Sequence, residues 1–170
     1  MPQWLPLLFF YEGMAVKKEW RLSMTLAGLV TLVAAIHYDY MRDFWVAEQA
    51  TPIVYRYIDW LITVPLLMIE FYIILKAVGA SVSAGSFWRL LVGTLVMLIG
   101  GYLGEAQIVS ALLGFIVGMI GWAIYPLGYV FGYMLGSVDD GSLNIIYNLA
   151  DFVNKILFGL IIWSVATKDA

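Results

Sequence analysis

Cysteine is absent from this chain of 170 residues, and charged residues are scarce. Without thiols the chain can form neither disulfides nor thiolate metal sites. Asp, Glu, Lys and Arg make up 12% of the residues, whereas soluble domains carry roughly 25%. Such a small charged fraction cannot cover a surface that faces water, and a net charge of -3 gives no indication of a nucleic-acid partner. A soluble domain is therefore excluded.

Apolar residues dominate instead, at 63% of the sequence. They form runs of about 20 residues, the length that crosses a hydrocarbon core of roughly 30 Å as a helix. There is no internal repeat and no basic segment typical of a signal peptide in MPQWLPLLFF. The sequence therefore predicts one all-α transmembrane domain over residues 1–170. The predicted spans are 2–16, 20–45, 53–78, 86–105, 107–136 and 143–166.

Basic and acidic residues lie in different connections between the spans. Because cytoplasmic loops are enriched in Lys and Arg, the basic set predicts the cytoplasmic side and places the C-terminus there. The basic residues are Lys17, Lys18, Arg21, Lys76, Arg89 and Lys168, and the acidic residues are Asp43, Glu48, Glu105, Asp139 and Asp140, with Arg42 the one basic exception among the latter.

The stretch 107–136 is too short for this topology. Its two ends are predicted to lie outside, so it must cross the membrane twice, yet 30 residues rise only about 45 Å as a helix. We therefore expect sequence to be missing near Met119–Trp122, where two half-helices meet. The short first span, which contains Pro2 and Pro6, predicts a second missing stretch near Trp4–Leu7.

The third span carries several ionisable side chains, which are costly inside a membrane and so are functional candidates. Asp59 and Thr63 are four residues apart and share a helix face. Glu70 follows Asp59 by eleven residues, about 1100° of rotation, so both carboxyl groups lie on that face about 16 Å apart. Together with Arg56, they predict two stations on a proton path. The alternative is a set of polar groups that hold helices together by hydrogen bonds.

Lys155 lies about halfway through the last span. Burial disfavours the charged form of a lysine, and the neutral amine can attack an aldehyde to form a Schiff base. Once protonated, that Schiff base needs a counter-charge, which Asp59 and Asp151 could supply. A simple ion pair with Asp151, one helical turn away, is the structural alternative.

Four stretches in the same order resemble the microbial rhodopsins of the proteorhodopsin group that absorbs green light. RYIDWLITVPL and YNLADFVNKILFGLIIW resemble the third and seventh helices of those proteins, GWAIYPLGY the sixth and HYDYMR the end of the second. The resemblance implies a bundle of seven transmembrane helices, of which the first, fifth and sixth are incomplete in this sequence.

The resemblance also implies the roles of individual residues. Lys155 would bind all-trans retinal as a Schiff base, with Asp59 as counterion and proton acceptor, Asp151 as second counterion and Glu70 as proton donor. The remaining implied site residues are Arg56, Thr63, His37, which would hydrogen-bond the acceptor and tune its pKa, Leu67, which goes with green absorption, and the retinal-contacting Trp60, Trp122, Tyr125 and Pro126.

The implied function is a light-driven outward proton pump, an ion transporter rather than an enzyme, in the inner membrane of a bacterium. The resemblance further implies a pentamer or hexamer, and no metal. A sensory photoreceptor of the same fold is one alternative, although the retained Glu70 argues against it. Two others are a truncated protein that binds retinal without pumping and a scaffold protein without a chromophore.

Overall fold

A computed structural model of the chain describes residues 4–79, 81–119 and 140–168. Every regular element in these ranges is a helix, which confirms the predicted all-α class. The helices are α1 (Leu5–Ala15), α2 (Lys18–Glu48), α3 (Ile53–Ala77), α4 (Ala84–Glu105), α5 (Ala111–Met119) and α6 (Asp140–Lys168).

Polar residues in the short connections end one helix and begin the next. After α2, Gln49 adopts a left-handed conformation and its backbone N–H donates to the Trp45 carbonyl. Before α4, the Ser83 side chain accepts a hydrogen bond from the Ser86 N–H at 3.0 Å. Such caps satisfy backbone groups that have no partner within the helix, so they define where each helix begins or ends.

Four helical segments are long and apolar enough to cross a membrane: α2, α3, α4 and the part of α6 from Tyr147 to Lys168. α1 is apolar too, but its 11 residues rise only about 16 Å, roughly half of a hydrocarbon core. The predicted short first span is therefore present as a half-length helix. The missing stretch that we predicted near Trp4–Leu7 stays a prediction.

α2 packs against α1, α3 and α6 and so organises the described part of the bundle. Glycine allows the closest of these contacts. A Cβ atom on Gly28 would lie 2.6 Å from the Phe10 ring, and one on Gly159 would lie 2.7 Å from the ring of Phe9, which is fully buried. These contacts dock α1 onto α2 and α6, because only a residue without a side chain lets the phenyl rings approach so closely.

The predicted span 107–136 does not begin as a continuous helix. Residues 106–110 form a turn in which Gln107 has a φ of 58°. α5 begins only at Ala111, where Ser110 Oγ accepts a hydrogen bond from the Leu113 N–H at 3.3 Å. The later start has a physical cause, since the left-handed Gln107 ends the path of α4 and the Ser110 hydroxyl caps a new helix. Most of the junction at Met119–Trp122 lies outside the described residues.

Candidate functional site

A buried lysine lies between two buried carboxylates at the centre of the bundle. Lys155 on α6 is 2% exposed, Asp151 4% and Asp59 on α3 0%. The Lys155 Nζ donates to Asp59 Oδ2 and, at 2.8 Å, to Asp151 Oδ2. Asp151 is four residues before Lys155, so helix geometry alone brings this pair together. The contact with Asp59 joins two helices and depends on their packing. The expected cluster of one lysine and two carboxylates is therefore present.

Tyr38 of α2 orients the second carboxylate. Its hydroxyl lies 2.9 Å from Asp151 Oδ2 and 3.1 Å from the Asn148 carbonyl, so it can donate to either acceptor. Asp151 Oδ2 thus lies within hydrogen-bonding distance of both Lys155 and a tyrosine, which limits the rotation of the carboxylate. Sequence reasoning missed Tyr38, although it follows His37 directly in the HYDYMR stretch.

His37 is a neighbour of Asp59 but does not hydrogen-bond it in this structure. Its Nδ1 lies 3.9 Å from Asp59 Oδ1, beyond hydrogen-bonding distance. The same nitrogen lies 2.9 Å from the Val33 carbonyl. Because a carbonyl oxygen can only accept, this contact assigns the proton to Nδ1. Thr63 is buried on the same face of α3, and its hydroxyl donates to the Asp59 backbone carbonyl at 2.9 Å.

The expected extracellular side of the site contains a second buried ionic group. Arg56 on α3 is 2% exposed, and its Nη1 lies 3.9 Å from Glu105 Oε2 at the end of α4. Its guanidinium also lies 4.9 Å from the centre of the Tyr147 ring and 5.9 Å from that of Trp60. The rings and the carboxylate together stabilise a buried cation.

Glu105 was predicted to lie at the boundary of the membrane, and it is the last residue of α4. Sequence reasoning missed its contact with Arg56: the Glu105 side chain is buried and also hydrogen-bonds Tyr57. The sequence contained one signal that could have found it. An arginine predicted inside a span needs an anion, and Glu105 is the acidic residue at the matching end of the next span.

Glu70 is the one buried carboxyl group in the described residues that has no hydrogen-bond partner at either oxygen. It lies on the Asp59 face of α3, about 16 Å towards the Lys76 end of that helix. Burial without a counter-charge favours the neutral acid, whereas Asp59 faces a lysine. Leu67, less than one turn before Glu70, is half-buried. The two predicted carboxyl groups therefore have opposite surroundings.

Part of the predicted site can be tested for its fit to retinal. Asp59 Oδ1 is buried and has no hydrogen-bond partner in the described residues, so it can accept from a cationic group held by Lys155. The ring of Trp60 is buried beside it in sequence and provides a flat apolar surface. These residues fit the Schiff-base end of the chromophore. Trp122, Tyr125 and Pro126, predicted to contact the polyene, lie outside the described residues.

Comparisons with known proteins agree on the family of this chain. The sequence matches the family described as bacteriorhodopsin-like protein over residues 5–121 and 109–169. It is 46% identical to a green-light absorbing proteorhodopsin of Gamma-proteobacterium EBAC31A08, over 95% of this chain and 80% of that protein. Identity to a blue-light absorbing proteorhodopsin of Gamma-proteobacterium Hot 75m4 is 45%, with the same shares covered. The crystal structure of the blue light-absorbing proteorhodopsin from Med12 superposes with a TM-score of 0.84 at 46% identity, over 96% of this chain and 89% of that one.

The alignments also bear on the missing sequence. That with the green-light absorbing relative extends over 203 positions, whereas this chain has 170 residues, so at least 33 aligned positions have no counterpart here. The family match comes in two parts that share residues 109–121. This overlap places a discontinuity of the family match within residues 109–121, a range that contains α5 and reaches the predicted junction.

Proposed function

This chain belongs to the bacteriorhodopsin-like protein family, and on that premise we propose that it is a light-driven outward proton pump with all-trans retinal bound to Lys155. The described helices form an integral membrane protein of the rhodopsin fold, and its relatives are bacterial. One observation carries the proposal. Asp59 and Glu70 lie on one face of α3, Asp59 in contact with Lys155 and Glu70 about 16 Å away along the helix.

Lys155 would hold the chromophore. Its neutral amine could bind retinal through the aldehyde, with loss of one water molecule. When bound, retinal would supply the absorption of light and an isomerisation that changes the surroundings of the nitrogen. Asp59 and Asp151 balance the positive charge of that nitrogen, and Tyr38 keeps Asp151 oriented towards it.

The proton then moves through residues of the chain. Asp59 accepts it at a carboxylate oxygen and becomes neutral, which removes half of the counter-charge at the site. Arg56 and Glu105 lie beyond Asp59 on the extracellular side and form the next polar layer. Glu70 starts as the neutral acid, because it is buried without a counter-charge, and it returns a proton from the cytoplasmic side.

Direction follows from the proposed orientation. The basic residues that we expect in the cytoplasm lie at the Glu70 end of α3 and at the C-terminal end of α6, so the C-terminus is cytoplasmic. Each proton moved outward against 100 mV requires about 2.3 kcal/mol. Leu67 favours green absorption, and the protein assembles as a pentamer or hexamer in the inner membrane of a bacterium.

Light-induced pH change is the direct test. Cells that express the chain are supplied with retinal and illuminated in unbuffered medium. We expect the medium to become acidic, and a protonophore should abolish the change because it collapses the proton gradient. Acidification that resists the protonophore, or alkalinisation of the medium, would contradict outward pumping.

A retinal protein that does not pump is a second candidate, and the alignment gaps favour it. At least 33 positions of the alignment with the green-light absorbing relative have no counterpart in this chain, and the family match is discontinuous within residues 109–121. In that case the illuminated protein would still be coloured, but it would leave the pH of the medium unchanged.

A further inference from the structure

We infer that Ser23 is a positioning residue for Glu70, and that its hydroxyl holds the Glu70 carboxyl group through a buried water molecule on the cytoplasmic side of the site. The inference rests on the proposed function, in which Glu70 donates a proton. Buried polar atoms without a hydrogen-bond partner support this inference. Ser23 Oγ and both carboxyl oxygens of Glu70 lack hydrogen-bond partners in the described residues, and both residues are at most 1% exposed.

The Ser23 hydroxyl behaves differently from the hydroxyls of four threonines in the described helices. A hydroxyl inside an apolar helix usually donates to the backbone carbonyl four residues earlier. Four threonines do this at 2.8–2.9 Å, namely Thr25, Thr31, Thr63 and Thr167. Ser23 does not, which leaves its proton available to another acceptor.

Ser23 and Glu70 lie at nearly the same height in the bundle. α2 and α3 run in opposite directions, and the 3.9 Å approach of His37 to Asp59 relates their levels. Ser23 is 14 residues from His37, about 21 Å, and Glu70 is 11 residues from Asp59, about 16 Å, both towards the cytoplasm. The two side chains therefore differ in height by about 5 Å.

The two side chains also face the same interior space. On α2, His37 faces α3 and Tyr38 faces α6. At 100° per residue, Ser23 lies about 40° from His37, turned towards Tyr38, so it points between α3 and α6. Glu70 lies about 20° from Asp59, which contacts α6 through Lys155. Both polar groups thus face the space enclosed by α2, α3 and α6.

A water molecule suits this arrangement. Buried waters typically make about three hydrogen bonds, to polar groups that otherwise lack partners. The Ser23 hydroxyl and the two oxygens of Glu70 provide that number of partners within one apolar region. A carboxyl group held in this way keeps one orientation, which favours proton transfer along α3.

Trp163 also has a buried polar atom on the α6 side of the bundle. Its indole nitrogen is also buried and unpartnered in the described residues. On α6, however, it lies about 80° from Lys155, on the side where Gly159 contacts Phe9 of α1. Trp163 therefore faces α1 and not the space at Glu70, and it serves as a control.

The test compares purified wild type with Ser23→Ala, Thr25→Ala and Trp163→Phe, all with retinal. Infrared spectra of the unilluminated proteins give the carboxyl C=O stretch of Glu70, which is assigned by subtracting the Glu70→Gln spectrum. Flash experiments with a pH-sensitive dye give the rate of proton uptake. We expect Ser23→Ala to raise the stretching frequency and to slow uptake about tenfold, the factor that one hydrogen bond represents. The two controls, Thr25→Ala and Trp163→Phe, should match wild type.

The outcomes separate this inference from the proposed function. An unchanged band and rate in Ser23→Ala would overturn the role of Ser23 while leaving the pump intact. If wild type neither releases nor takes up protons, the proposed function fails. The band shift in the unilluminated proteins then still decides whether Ser23 holds the Glu70 carboxyl group.

Discussion

The centre of the bundle and the half that contains Glu70 bury ionisable groups equally well, but they treat them in opposite ways. At the centre, Lys155 contacts Asp59 and Asp151, and Arg56 lies near Glu105. In the other half, Glu70 is just as buried and has no hydrogen-bond partner in the described residues. The central groups form a chain of opposite charges, whereas no charged group of the described residues faces the Glu70 carboxyl group.

This difference explains how one apolar protein can keep one buried carboxyl group ionised and another one neutral. A buried charge is strongly unfavourable unless an opposite charge and hydrogen bonds compensate for it, so the paired Asp59 can remain ionised. A lone buried carboxyl group avoids that energy by keeping its proton. In the proposed function, the acceptor and the donor thus differ in their surroundings alone, on one face of one helix.

Replacing Lys155 should prevent the central site from binding the chromophore. Lys155 is the one buried lysine in the described residues, so Lys155→Ala should abolish visible absorbance after retinal is added. Lys155→Arg retains a cation for both carboxylates but cannot form a Schiff base, and it should be colourless too. Lys168→Ala, on the exposed end of the same helix, should leave the spectrum unchanged. A coloured Lys155→Arg protein would refute the assignment.

Neutralising Asp59 and Glu70 in separate variants should show that only Asp59 belongs to a buried ion pair. Asp59→Asn breaks a buried ion pair and should lower the free energy of unfolding by about 3–5 kcal/mol, as well as abolish proton release. Glu70→Gln removes no ion pair, so thermal unfolding should change little. Its proton uptake should slow about 100-fold or more, because a general acid is lost. Similar destabilisation by both variants, measured by thermal denaturation, would show that Asp59 and Glu70 do not differ in their surroundings.

Glu105→Gln should have an intermediate effect. The nearest Arg56 nitrogen lies 3.9 Å from Glu105, and the rings of Tyr147 and Trp60 also surround the guanidinium. We therefore expect a loss of only about 1–2 kcal/mol in stability with retinal still bound. The thermal midpoint of the coloured protein measures it, with Glu48→Gln at the exposed end of α2 as control. A loss of colour would indicate that Glu105 supports the centre more directly.

Gln107→Gly should have the smallest effect and should not alter colour or pumping. Gln107 has a φ of 58°, a conformation that glycine adopts without strain, so the variant should gain about 0.5–1 kcal/mol. Gln49 has a φ of 51°, but its side chain donates to the Trp45 carbonyl at 3.1 Å. Gln49→Gly should therefore gain less. Thermal denaturation of both variants checks this order, and destabilisation by Gln107→Gly would contradict it.

The features that could be predicted from the amino-acid sequence lie within single helices. The face shared by Asp59, Thr63 and Glu70 and the pairing of Asp151 with Lys155 both follow from 100° of rotation per residue. The membrane class followed in the same way, from apolar runs of bilayer length. These features are local, so spacing along the chain is enough to predict them.

Which helices face each other, and at what height, could not be predicted from the sequence and is seen only in the folded bundle. It brought Tyr38 to Asp151 and Glu105 to Arg56, and it left His37 hydrogen-bonded to its own helix rather than to Asp59. Contacts of this kind depend on the rotation and axial shift of whole helices, which close packing sets and which no single apolar pattern specifies.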